Sequence, residues 1–201
     1  MKLTQTLLSA AAISCFALSA SAADFVFSDD STTIGSALDG TTGGAFTVDT
    51  IEITIATLNG DFNGTSNEFG VNGPESGDDT DGFNIAESEG PGPAEGFTFY
   101  FDQDVYLNDF SVSSFGDSDV ISITDTSTLN TTITSTGTTS LGDYLLTSGS
   151  VVTVLTTGGS AYTNGWTLES ISVSAVPEPG TFALLSGFAA LTFVMLRRRS
   201  A

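Results

Sequence analysis

The sequence has no histidine, and its single cysteine, Cys15, lies in an N-terminal apolar run. Basic residues are nearly absent. Lys2 and the run Arg197, Arg198, Arg199 are the four there are, against 24 Asp and Glu. Between Asp24 and Val176, 153 residues carry 16 Asp, 7 Glu and no Lys or Arg. These absences exclude whole classes of chemistry from the middle of the chain. A Ser-His-Asp triad, a Cys-His pair, a lysine Schiff base and a His/Cys zinc site all lack a member. Phosphate cannot be gripped by Arg or Lys, and the field of so many carboxylates repels nucleic acid. Without cysteine after residue 15 there is no disulfide, so packing alone must hold a fold.

The two ends read as targeting segments. Residues 1–23 have the pattern of a secretory signal peptide: Lys2 at the start, an apolar run from Leu7 to Leu18, then small residues at Ala20-Ser21-Ala22. Twelve apolar residues are too few for about 30 Å of hydrocarbon. A signal peptidase is the expected partner, cutting at the site marked by Ala20, Ala22 and Ala23, so that the mature chain begins at Ala23 or Asp24. At the other end, Val176-Pro177-Glu178-Pro179-Gly180-Thr181 precedes an apolar run, Phe182 to Leu196, and then Arg197 to Arg199. The run predicts a transmembrane helix over 182–196, about 23 Å long at 1.5 Å per residue. That is short for a permanent span but workable with snorkelling arginines, which would stay in the cytoplasm. The two prolines predict an extended, accessible strip over 176–180, because each biases the residue before it away from helix.

Val176-Pro177-Glu178-Pro179, a helix containing Ala183-Leu184-Leu185 and a terminal Arg cluster together resemble the PEP-CTERM sorting signal of bacterial surface proteins. The match covers residues 176–201. The resemblance implies processing by an exosortase, passage through the inner membrane, and release to the cell surface or extracellular matrix of a bacterium. It implies nothing about what the ectodomain binds. Gly70-Val71-Asn72-Gly73 and Phe97-Thr98-Phe99-Tyr100-Phe101-Asp102-Gln103-Asp104-Val105 are also similar to stretches of PEP-CTERM ectodomains.

The middle, residues 24–175, reads as an acidic all-β ectodomain. Apolar residues alternate at Ile51, Ile53, Ile55, at Phe97, Phe99, Phe101, and at Ile121, Ile123. Further short strands are expected at Phe25–Phe27, Val105–Leu107, Phe110–Val112, Val151–Leu155 and Trp166–Val173, the last with one change of parity that suggests a bulge. Thr and Ser make up 46 of 153 residues, and Thr favours strands. No helical period stands out. Eight or more short strands in about 150 residues predict an antiparallel β-sandwich, jelly-roll-like, flanked by the signal peptide and the C-terminal helix. Two segments depart from the pattern. Asn59 to Gly96 has nine acids, nine glycines and few apolar residues, and is expected to be a long loop, functional, ion-ordered or disordered. Thr124 to Thr139, with nine Thr, is expected to be an exposed strand pair and its turn.

Oxygen ligands are the one metal-binding resource. Asp78-Asp79-Thr80-Asp81-Gly82 is the densest cluster, and Asp78, Asp79 and Asp81 are the candidate calcium ligands, with Asp102, Asp104, Asp117 and Asp119 in reserve. The competing expectation is a solvated acidic loop that keeps a secreted chain soluble. Two carboxylates could in principle hydrolyse a glycoside, but 23 acids make a qualifying pair inevitable by chance, so the chain is read as not an enzyme. Trp166, Tyr100, Tyr106, Tyr144 and Tyr162 could stack on sugars. The leading expectation is a non-enzymatic surface protein. The alternative is a calcium-dependent carbohydrate-binding module on the same anchor, with extracellular polysaccharide as partner.

Overall fold

The computed structural model describes residues 21–28, 34–64, 69–72, 94–115, 120–158, 165–177 and 179–199. Two units emerge. Ala22–Ala175 forms one, and the two ends of the chain form the other.

The first unit is all-β, with antiparallel sheets. Its strands are β1 (Ala22–Val26), β2 (Gly43–Val48), β3 (Ile51–Thr57), β4 (Asp61–Gly64), β5 (Phe69–Asn72), β6 (Gly96–Phe101), β7 (Val105–Ser113), β8 (Val120–Asp125), β9 (Asn130–Ile133), β10 (Gly137–Leu146), β11 (Val152–Gly158) and β12 (Thr167–Ala175). One short helix, α1 (Ile34–Leu38), interrupts them. A four-stranded sheet A runs β1-β12-β7-β10, a six-stranded sheet B runs β2-β3-β6-β11-β8-β9, and β4-β5 form a separate pair.

The expected alternation places the core. Ile51, Ile53, Ile55, Phe97, Phe99, Phe101, Ile121 and Ile123 are all 0–1% exposed, while the residues between them face outward. Phenylalanines join the two sheets. Phe25 on β1 lies 5.8 Å from Phe101 on β6, and Phe97 on β6 lies 6.5 Å from Phe110 on β7. The parity change near Leu168 is a register shift between Leu168 and Ser170, as a bulge requires. Val105–Leu107 and Phe110–Val112, expected as two strands, are one continuous strand that carries the chain past its own irregularity.

The expected loop over Asn59–Gly96 is corrected at its start. Phe62, Phe69 and Val71 are buried at 0–1% and bring β4 and β5 together under the core, with Phe62 stacked on Phe69 at 5.0 Å. Three apolar side chains suffice because cross-strand pairing, which no local pattern reveals, supplies the rest. Helix α1 packs beside them. A side chain at Gly35 would collide with the carbonyl oxygen of Phe27, so only glycine admits that approach.

The β2–β3 hairpin turns on two residues, Asp49 and Thr50, with φ of 48° and 81°. Both central residues of such a tight turn need positive φ, which suits Asp-Gly and strains a β-branched residue by about 1–2 kcal/mol. Thr50→Gly is therefore expected to stabilise the domain by about 0.5–1 kcal/mol, about 1–4 °C in melting temperature. Thr47→Gly, in the adjoining strand, is expected to destabilise it. Thermal melts of the two variants check the pair; a lower melting temperature for Thr50→Gly would remove the strain argument.

The C-terminal helix, α2, runs Pro179–Arg199. It starts earlier than the 182 expected, and the strip between β12 and α2 is correspondingly shorter than 176–180. Proline is well placed in a helix's first turn, where its fixed φ is already helical and its missing N–H is not needed. Among the described residues, no helix is long and apolar enough to cross a membrane. The transmembrane span expected over 182–196 is corrected accordingly: a helix is present there, but not as a recognisable span.

Candidate functional site

The residues singled out from sequence fall at scattered places. Val176 and Pro177 are half-buried and connect β12 to α2. Pro179 opens α2, and Arg197 and Arg198 lie exposed in its last turn, where cations suit the negative end of the helix dipole. Arg199 ends the helix. Glu178, Ala20 and the proposed calcium ligands Asp78, Asp79 and Asp81 lie outside the described residues. Ala22 and Ala23 are the first residues of β1. Ala23 is 1% exposed and pairs with Val173.

The exposed part of α2 is apolar on every side. Phe188, Leu191, Phe193, Val194, Met195 and Leu196 are 37–71% exposed, and at 3.6 residues per turn they point in all directions rather than forming one stripe. Even the Thr192 hydroxyl turns back to donate to the Phe188 carbonyl at 2.8 Å.

The acids of the described loops are engaged in holding turns. The Glu52 N–H donates to Asp102 Oδ1 at 3.0 Å, and the Ser148 N–H donates to Asp104 Oδ1 at 2.8 Å. Asp117 and Asp119 lie outside the described residues. Among the described residues, no group of three or more acids, cysteines or histidines is set to hold a metal ion. The aromatics do not gather either. Trp166 is fully buried, Tyr100 is exposed on sheet B and Tyr106 on sheet A, and Tyr162 lies outside the described residues.

Sequence reasoning missed the clasp at Asp125. This residue ends β8 in sheet B, and Tyr144 reaches it from β10 in sheet A. Asp125 Oδ1 accepts the N–H groups of Ser127 at 2.8 Å and Leu129 at 2.9 Å. Its Oδ2 accepts the Ser127 and Tyr144 hydroxyls, both at 2.8 Å. The Thr128 hydroxyl lies 2.9 Å from the Tyr144 oxygen and can donate to it. Asp125-Thr126-Ser127 fits a local turn signal, but nothing local signals a tyrosine 19 residues on.

Partial burial works to raise the Asp125 pKa, but the hydrogen bonds from Tyr144, Ser127 and Leu129 outweigh it and hold the carboxyl below the ordinary value. A depressed folded-state pKa gives stability that is complete above the unfolded value, about 3.9, and lost as pH falls through the lower folded value. The stability gap between wild type and Asp125→Asn should thus hold steady from neutral pH down to about 5 and shrink below about 4. Tyr144→Phe should cost about 1 kcal/mol. Urea melts across pH test both; a gap that widens in acid would refute the clasp.

No family model matches the chain, and no characterised protein and no solved structure is significantly similar to it.

Proposed function

We propose that this chain is a non-enzymatic, exported surface protein whose C-terminal tail is a sorting signal read by an exosortase. The observation that carries this reading is where the ectodomain begins and ends. Ala22 pairs with Ser174, and Ala175 is the last residue of β12, so the chain enters and leaves at the same end of sheet A. This arrangement is compatible with a chain that is trimmed at both of those points.

The tail adds chemical support. An apolar helix surface with no polar side favours an apolar surrounding over a one-sided groove, and Arg197 and Arg198 close the helix with positive charge. Signal peptidase must act before β1 docks, because Ala23 is enclosed once the strand pairs. The strand order supports a jelly-roll reading of the ectodomain. With β2 to β5 set aside, the remaining eight strands alternate as β1-β12-β7-β10 against β6-β11-β8-β9, two nested Greek keys.

Mass spectrometry of the mature protein from its native cells tests the reading at both ends. A chain starting at Ala23 or Asp24 and ending before Phe182 supports it. A chain that keeps Met1, or that keeps Arg199 at the cell surface, overturns it. Calcium ordering of the acidic segment at Asp78, Asp79 and Asp81 is a subsidiary reading. Binding to the folded state would raise the melting temperature in millimolar calcium by a few degrees, as ligand linkage of about 1–2 kcal/mol would do; no shift would dismiss it.

A further inference from the structure

Acids are unevenly shared between the two sheets. Each strand of sheet A carries one: Asp24, Glu169, Asp109 and Asp143. The six strands of sheet B carry only Glu52 and Asp125. Glu52 lies next to the β2–β3 turn, and Asp125 is drawn into the clasp with Tyr144. Among the described residues, the middle of sheet B's outer face is therefore uncharged, in a chain of net charge −20. Solubility alone would favour acids on so broad a face.

What occupies the face instead is ordered by register. Gly43, Ala56, Thr98, Thr153, Thr124 and Asn130 are successive cross-strand partners, one from each strand, and form a single rung across the sheet. Thr98 to Asn130 is three strand spacings, about 14 Å, at about 4.8 Å per step. Each step is close to the length of one pyranose unit in an extended chain. Among the described residues, no hydrogen-bond partner takes the hydroxyls of Thr153 and Thr124. On the neighbouring rung stands Tyr100, 40% exposed and paired with Thr54, with its ring two residues along β6 from Thr98. The opposite side of the same strands is sealed core: Phe97, Phe99, Val152, Val154, Ile121 and Ile123 are all 0% exposed. The outer face is thus backed by a packed interior.

We propose that this face binds a neutral, extended polysaccharide without a metal ion. Hydroxyl and amide groups in a row exchange hydrogen bonds with sugar hydroxyls, and the tyrosine ring offers the apolar face on which a pyranose stacks. A neutral polymer can lie there without desolvating a carboxylate, whereas an anionic one is repelled by the acids around it. The proposal is independent of how the tail is processed.

The test is affinity electrophoresis of the full-length protein in detergent micelles, in native gels cast with hydroxyethylcellulose, with alginate or with no polymer. Hydroxyethylcellulose should retard the wild type and alginate should not, with or without chelator. Tyr100→Ala and Thr153→Asp should each weaken retardation at least tenfold, whereas Ser140→Asp on sheet A should leave it unchanged. Thermal melts identify any variant that fails to fold, and Thr153→Ser, which keeps the hydroxyl, should retain binding. Four results would each overturn the proposal: no retardation of the wild type, full retardation in both Tyr100→Ala and Thr153→Asp, loss with chelator, or a dimer in sedimentation that Thr153→Asp dissociates. The last would assign the face to a second copy of the chain.

Discussion

Replacing Pro177, Glu178 and Pro179 together by alanine is expected to leave export intact and to trap uncut protein at the inner membrane. The expectation rests on the backbone between β12 and α2. Pro177 has no N–H to donate and disfavours helix at Val176, and Pro179 fixes where α2 starts. Alanine is the best helix former, so three alanines remove both stops and let α2 grow back toward Ala175. A processing enzyme needs an extended peptide, and the variant would offer it a helix. Glu178→Ala alone separates the charge from the backbone effect: if the prolines matter most, this single variant is still processed. Deleting Arg197 to Arg199 should act differently, impairing retention and orientation. Immunoblots of membrane and surface fractions, with intact masses, read all three. A triple variant that reaches the surface at normal mature mass would replace sorting by simple anchorage.

Much of the fold was legible wherever a strand buries one full face. Ile51, Ile53 and Ile55 alternate with outward residues because β3 lies inside sheet B, with the core beneath it. Edge strands give no such signal. β2 has only Phe46 and Val48 leaning on the core, and β10, at the edge of sheet A, is mostly Thr, Ser and Gly until Leu146. Their residues need not alternate strongly because burial is partial, so period two fades. Pairing was out of reach altogether. That β6 lies between β3 and β11 follows from contacts across 40 residues and more, and the rung that aligns Thr98, Thr153 and Thr124 rests on separations of 55 and 29 residues. The candidate calcium ligands were read from density of acids alone, and the described residues add no geometry to them. In the tail a helix was legible from its apolar run, but not as a membrane span, because no described helix is long and apolar enough to cross one. Even there the start of α2 was misplaced, since Pro179 both ends an extended strip and begins a helix.

Trp166→Ala is expected to be the most damaging single change to the ectodomain. As the one tryptophan of the chain, this side chain was also a candidate platform for a sugar, so its place decides between two roles. It is 0% exposed, its ring lies 6.4 Å from that of Phe110, and its indole N–H donates to Thr156 Oγ1 at 3.0 Å. Thr156 belongs to sheet B and is 1% exposed, whereas Trp166 stands at the head of β12 in sheet A, so the bond joins the sheets through the core. Truncating a buried tryptophan costs about 3–5 kcal/mol, a large part of a typical stability of about 5–15 kcal/mol. The melting temperature should fall by roughly 6–20 °C. Trp166→Phe keeps a ring against Phe110 but removes the donor to Thr156, at about 1–3 kcal/mol. Adding Thr156→Val removes the stranded acceptor and should recover part of that loss, since two apolar partners leave nothing to desolvate. A double-mutant cycle on thermal melts measures the coupling. Trp166→Ala with an unchanged melting temperature would return the residue to the surface, and with it the platform role that its burial denies.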